Sequence, residues 1–314
     1  MSFESEVVGK EGIVARVVQA SKSAYTGKEL WTFELEFPRF ILAEVNTHCM
    51  LEKNSASSRA IPVKTSNKLI QENPAMPVYW GKNQAGMVAA EELGDIEKEA
   101  SKQVWLAAMQ SAVAHSSVLD SLKNHKQVAN RVVEPWQRMK TVMSGTEWEN
   151  LFYLRDHPDA DPTFQELAKV MKEAKSKVEP TVIWNNEWHV PYVERKRIDG
   201  VMRYFSAGQE LTVEQARMVS ASCAAQTSYR RNDETLEKAI QVFKRLNIGS
   251  PDQPAHASPT THQGTPISYD GIIETDPDTW PEGVTHMTKN RKLWSGKFQD
   301  FVQFRKLIPN EARW

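Results

Sequence analysis

Cys49 and Cys223 are the only two cysteines in this 314-residue chain. Two thiols cannot build a disulfide framework or a multi-cysteine zinc site, so a reducing, cytoplasmic setting is expected. No apolar run approaches the ~18 residues of a membrane-spanning helix, so no membrane partner is expected. The opening MSFESEVVGKEG lacks the basic-then-apolar pattern of a secretory leader, and secretion is not expected. Charge of either sign is not in excess: Lys plus Arg number 39, Asp plus Glu 40, and the formal net charge is −1. That balance argues against a protein that coats nucleic acid, while leaving room for a local basic pocket around one small anion. Four signatures are missing too: GxGxxG after a strand, GxxxxGKS or GxxxxGKT, HExxH and GxSxG. Their absence argues against a dinucleotide-binding dehydrogenase, a P-loop NTPase, a zinc protease and an α/β-hydrolase.

The composition is that of a folded globular chain, with 40% hydrophobic and 25% charged residues. Ten tryptophans are scattered without a period and read as packing. Residues 12–19 are rich in Val and Ile and predict a strand. Residues 29–37 alternate Trp31, Phe33, Leu35 and Phe37 with polar partners, which predicts a strand with one buried face. Pro38 is expected to end it and open a helix over 38–50. Residues 54–62 are small and polar and read as a loop. A long helical stretch is expected over 89–124, and a mostly helical pattern from there to about 155, broken near Pro135 and Gly145. A turn at 157–162 precedes another helix, and 178–210 reads as irregular. Thr212 opens a helix whose stripe of small residues, Ala216, Ser220, Cys223 and Ala224 among them, implies a close neighbour. Leu236, Ala239, Ile240, Phe243 and Leu246 mark the next helix. The proline-rich 249–286 reads as a long loop region within a single 1–314 domain, and the aromatic tail beyond it as ordered.

Four segments could carry chemistry. Thr47-His48-Cys49 precedes Asn54-Ser55-Ala56-Ser57-Ser58-Arg59, where hydroxyls and one Arg could surround a phosphate; a capped surface turn is the plainer reading. His125-Lys126-Gln127 with Arg131 concentrates positive charge, or is simply a solvated helix face. Arg155 follows an apolar stretch, and an inward Arg needs an anionic or carbonyl partner. His256 and His262 flank a Pro-containing loop, but no third ligand lies nearby, so no metal is expected.

Together these segments resemble the flavin-dependent thymidylate synthases, and a longer, viral- or phage-type branch above all. The resemblance runs from about Trp31 to Leu307. It rests on THCMLEKNSASSRAIPV, HKQVANRVVEPWQ, TEWENLFYLRDHPDA, NEWHVPYV and HASPTTHQGTP. In the shorter enzymes the His-x-Ser-Pro segment comes first; here it follows. The resemblance implies an α/β (α+β) fold, a mixed sheet with long helices, in a homotetramer. It implies dTMP made from dUMP, with methylenetetrahydrofolate as carbon donor, NADPH as reductant and FAD at subunit interfaces. By motif position Arg155 resembles the ring-activating catalytic arginine. Ser57 and Arg59 resemble nucleotide contacts, Arg131 the arginine that a neighbouring subunit lends to the phosphate, and Gln127 a nucleotide or flavin contact, while His48, Asn54, His256 and Ser258 resemble flavin contacts.

Three positions depart from the family pattern. Cys49 stands where Arg is usual, Glu52 where Ser is usual, and Thr260 where Glu follows the proline. Glu52 must point away from a phosphate, be paired, or read a donor such as the cytosine amino group. That leaves dCMP methylation or hydroxymethylation open beside dUMP, and also a non-catalytic nucleotide-binding relative. Cys49 reads as buried and inert, with a thiolate adding to the pyrimidine ring as the alternative. Cys223 reads as core.

Overall fold

The structure, a computed structural model, describes residues 3–227, 233–250, 253–273 and 275–312. In chain order, β1 (Ser5–Val8), β2 (Val14–Ser23) and β3 (Glu29–Pro38) lead into the short α1 (Leu42–Asn46) and β4 (Glu52–Ser55). Then come α2 (Val63–Glu72), the long α3 (Asp95–Ser121), α4 (Lys126–Ala129), β5 (Arg138–Gly145), α5 (Glu149–Arg155) and α6 (Pro162–Ser176). β6 (Thr181–Ile183) precedes a three-stranded meander of β7 (Glu194–Ile198), β8 (Val201–Ser206) and β9 (Gln209–Leu211). After α7 (Val213–Ala225) and α8 (Leu236–Arg245), the chain ends in short strands: β10 (Gly264–Pro266), β11 (His286–Met287), β12 (Leu293–Ser295), β13 (Phe298–Gln299) and β14 (Phe301–Gln303).

The main sheet runs β1-β2-β3-β5-β4, antiparallel throughout, and β6 joins β2 in parallel. It is therefore a mixed sheet with long helices, and the α/β expectation holds. Trp31, Phe33, Leu35 and Phe37 of β3 pack on one face against Phe164, Leu167 and Met171 of α6. α6 is opened by Asp161, whose carboxylate accepts from the N–H groups of Thr163 and Phe164, with Pro162 next. The other face meets Trp188, α7 and the C-terminal Phe298 and Phe301. β3 is thus buried on both faces, which corrects the one-faced expectation. Its polar residues are satisfied inside: Glu34, 3% exposed, takes Arg16, Lys140 and the hydroxyl of Tyr192.

Other expectations change as well. The helix after Pro38 is only a 3₁₀ turn and α1, because Thr47–Met50 turn the chain into β4. Asn54 and Ser55 lie on that strand, not in a loop. Residues 138–145 form strand β5, not helix, since they fill the gap between β3 and the edge strand β4. Residues 178–210 hold four strands. The tight turns at Asp199-Gly200 and Ala207-Gly208 have positive φ at all four residues, as two-residue hairpins require. α7 carries the Thr212/Gln215 capping box, and the small-residue stripe is met by Gln263, whose amide donates to Ser220 Oγ at 3.0 Å. The 249–286 region is mostly loop where described, but 257–267 is largely buried; residues 251, 252 and 274 lie outside the described residues. Among the described residues no helix is long and apolar enough to cross a membrane.

One polar seam crosses the buried face. Ser21, Thr32 and Ser144 stand on β2, β3 and β5. Ser21 Oγ lies 2.7 Å from His189 Nδ1, and Thr32 Oγ1 lies 2.8 Å from His189 Nε2 and 2.6 Å from Ser144 Oγ. Ser144 Oγ in turn lies 2.8 Å from His262 Nδ1. Arg195 donates to Ser21 Oγ at 2.7 Å. An arginine can only donate. With Ser21 Oγ accepting from Arg195 and passing its own hydrogen to His189, the donors run one way, from Arg195 through Ser21, His189, Thr32 and Ser144 to His262. The last donor, His262 Nε2, has no partner among the described residues.

Candidate functional site

β4 is the edge strand of the main sheet, and the sequence-predicted residues gather at its two ends. At the leading end α5 presents Arg155 in its last turn, anchored by Leu151 and Phe152 in the core beneath. Arg155 Nε donates to His48 Nε2 at 2.9 Å, and its guanidinium lies 4.9 Å from the Phe164 ring centroid. Thr47 Oγ1 is 3.4 Å from Nη2, and the Glu44 carboxylate is 3.7 Å from Nη1. Burial, with Arg155 and Lys53 nearby, lowers the pKa of His48 to about 4, so the ring is neutral and accepts. The cation is thus held by a neutral imidazole and an aromatic face, with one carboxylate at the edge of ion-pair reach. A cavity of about 290 Å³ opens here, lined by Thr47, His48, Cys49, Leu154 and Arg155 among others. Cys49 is exposed, not buried: helix α1 stops at Asn46, and the turn after it carries the thiol outward. Cys223 is fully buried, and burial pushes its thiol pKa far up.

At the trailing end, two segments far apart in sequence meet. The loop after Ser55 docks on the chain that follows α3. Asn130, fully buried, donates to the carbonyls of Ser58 at 2.7 Å and Ile61 at 2.9 Å. Lys126 donates to the Ala60 carbonyl at 3.0 Å. Glu134 gathers Ser58 Oγ at 2.9 Å, Arg39 at 3.0 Å and Arg131 at 3.0 Å. Arg59 is exposed and makes no ion pair among the described residues. Ser57 Oγ accepts from the Arg59 backbone N–H at 3.3 Å and lines a cavity of about 160 Å³ with Ser58 and Arg39. Gln127 is exposed on α4, its backbone N–H donating to His125 Nδ1. Ser57, Arg59, Gln127 and Arg131 are therefore brought together. Asn130 and Glu134, which hold them, were not singled out in the sequence, although both lie within the quoted HKQVANRVVEPWQ segment.

The remaining residues flank β4. Glu52 is paired: Gln303 Nε2 donates to it at 3.2 Å and Lys297 Nζ lies at 3.4 Å. Asn54 donates to the Ala224 carbonyl of α7 at 3.4 Å. The 3₁₀ turn Ser258–Thr261 packs beside β4 and α7, with Ser258 and His256 exposed. His262 is buried where His256 is exposed; it ends the polar seam, and burial drops its pKa to about 3. Among the described residues no group of three or more His, Cys, Asp or Glu could hold a metal ion. Asn54, whose amide N–H is engaged by Ala224, and the exposed His256 and Ser258 are the residues beside β4 that could hold a cofactor. His48 lies apart from them, with Nε2 already engaged by Arg155.

The sequence matches no protein-family model and no curated protein. Among solved structures, it is similar to a UMP/dUMP methylase, PolB from Streptomyces cacaoi, bound with 5-Br UMP. The identity is 13%, the TM-score 0.43, and the match covers 52% of this chain and 89% of that one. A likeness at that level carries neither fold nor function across.

Proposed function

We propose that this chain transfers a one-carbon unit to C5 of a deoxypyrimidine monophosphate, converting dUMP to dTMP with methylenetetrahydrofolate as carbon donor. FAD, reduced by NADPH, would supply the hydride when bound, with Asn54, His256 and Ser258 as its contacts. The observation that carries this reading is Arg155. It is a half-buried cation held against a neutral imidazole beside an open cavity. Pyrimidine C5 becomes nucleophilic only when negative charge spreads onto the ring oxygens and N3. A preorganised guanidinium stabilises that charge without reorganising. His48 positions it, because a neutral ring accepts from Nε without cancelling the charge.

The phosphate falls to the other end of β4. Ser57 carries a hydroxyl, and Arg59 an exposed planar fork with no ion pair among the described residues, on a loop that Asn130 fixes. Four strand residues, ~13 Å of chain, separate the two ends. Glu52 supports dUMP over dCMP, since its carboxylate is spent on Lys297 and Gln303 and does not wait for a cytosine amino group.

The test is a product mass assay on purified protein given FAD, NADPH, methylenetetrahydrofolate and an equal mixture of dUMP and dCMP. A methyl gained on dUMP is the expected result. A product from dCMP alone, or none from either, overturns the reading. Arg59→Ala is expected to raise the KM for nucleotide ~10-fold with kcat little changed, because a charge-assisted phosphate bond is lost. An unchanged KM removes Arg59 from the phosphate site.

A further inference from the structure

Glu134 is the only acidic residue between Asp120 and Glu147, and between Glu52 and Glu72 there is none. Its carboxylate holds three donors from three separate elements. Arg39 comes from the turn after β3, Ser58 from the loop after β4, and Arg131 from the 3₁₀ turn Asn130–Trp136 that also carries Glu134. All three reach one oxygen. Ser58 Oγ donates to Glu134 Oε1 at 2.9 Å, Arg39 Nη2 lies 3.0 Å from it and Arg131 Nη1 3.0 Å. Oε2 takes a second, longer contact from Arg131 at 3.4 Å.

That is more than a carboxylate can answer. Two guanidiniums exceed its single charge, and three donors crowd an oxygen with two lone pairs. A phosphate monoester carries ~1.5 to 2 negative charges at pH 7 and offers three oxygens, one for each donor. Arg39 is poorly matched elsewhere: its Nη1 meets the Met139 sulfur at 3.7 Å, a weak acceptor. Arg39, Ser58 and the neighbouring Ser57 also line the cavity of about 160 Å³, so a ligand entering it meets the same residues.

The loop keeps other anchors. Asn130 holds the Ser58 and Ile61 carbonyls, and Lys126 holds that of Ala60. The Glu134 side chain, 22% exposed, can turn outward alone, because its backbone carbonyl stays fixed by the Gln137 N–H at 3.1 Å.

We propose that Arg39, Ser58 and Arg131 form a seat for the phosphate of the nucleotide, and that Glu134 fills this seat until the nucleotide displaces it. The inference rests on the reading that the loop after β4 takes the phosphate, and adds to it two ligands, Arg39 and Ser58, and an internal competitor. Glu134 then lowers affinity, whereas a carboxylate that merely braced the loop would raise it.

Calorimetry on the full-length protein reads the difference, with dUMP, inorganic phosphate and deoxyuridine as probes. Glu134→Gln keeps the size of the side chain and a carbonyl that can accept from Ser58, but removes the charge. It should bind dUMP and inorganic phosphate each ~10-fold more tightly than the wild type. Arg39→Gln should bind both ~10-fold more weakly. Deoxyuridine, which lacks the phosphate, should gain nothing in either variant. A Glu134→Gln chain that binds dUMP no better than the wild type, or worse, overturns the proposal. So does an equal gain for deoxyuridine, an Arg39→Gln chain of undiminished affinity, or the absence of binding by dUMP and phosphate alike. Circular dichroism checks that both variants fold, and the sign of the Glu134→Gln effect decides by itself. A gain in that variant without any product from dUMP would keep the seat and overturn the reaction. Methyl transfer without the gain would do the reverse.

Discussion

Arg155→Ala is expected to cut kcat by ~10² to 10³ or more, while the dissociation constant for nucleotide stays within a few-fold. The guanidinium sits at the cavity beside His48 and not at the loop that would take the phosphate, so its loss falls on the reacting ring and not on ground-state binding. Single-turnover product formation separates the two, and calorimetry with dUMP reads the affinity. Normal turnover in the variant removes Arg155 from the chemistry. The same variant has a second readout that does not depend on activity. Arg155 is one of the causes that lower the pKa of His48 to about 4. With the cation gone, that value should move up toward the ordinary histidine range, and a proton titration followed by NMR would show it. A His48 pKa unmoved by the substitution contradicts the contact itself. Arg155→Lys keeps a charge but loses the planar fork, and should recover only part of the rate.

The second large effect is acid lability. His262 and His189 are fully buried in the seam, and burial depresses both, His262 to about 3. The unfolded chain takes up these protons as the pH falls through about 6.5, whereas the folded chain does not until far lower. Unfolding therefore absorbs protons. The stability these residues confer is complete above about pH 6.5 and drains away as the pH drops toward 3. For His262 alone the loss is on the order of 4 kcal/mol over that window. Urea midpoints at pH 7, 5.5 and 4 should fall steadily, and His262→Gln, which cannot be protonated, should flatten the decline even if it lowers the starting value. A wild-type midpoint that is level from pH 7 to 4 would contradict neutral buried histidines.

Much of this architecture was legible where sequence and burial follow one rule. β3 showed its period of two, α6 its helical run after the turn, and α7 its Thr212 start with Gln215 in the first turn. The failures share a cause. β5 reads RMKTVMSG, with lysine among its apolar residues, and becomes a strand only because β3 and β4 lie on either side of it. The β7–β8 hairpin is charged and exposed, so no apolar alternation announces it. Its one signal was the Asp199-Gly200 pair between branched apolar residues. Thr32 and Glu34 seemed to face water because nothing local reveals that a second layer, contributed by residues beyond 180, covers them.

The site divides in the same way. The residue types were visible in their segments, but the docking of the hydroxyl-rich loop on the basic segment of the same chain was not. Nor was the partner that fixes each. Arg155 and His48 are 107 positions apart, and Asn130 reaches back 72 to Ser58. Glu134 looked like one more surface carboxylate until three donors were found around it.

The seam from Arg195 to His262 has a consequence for how this sequence can drift. Between its two ends each member both receives a hydrogen and passes one on, so none of those positions can be exchanged for a residue of different hydrogen-bonding character without stranding its neighbours in the core. Ser21, Thr32, Ser144, His189, Arg195 and His262 belong to separate strands and loops, yet they are free to vary only as a set. Descendants of this chain should either inherit all six or replace them together with a dry, apolar layer, and intermediates between those two solutions should be scarce.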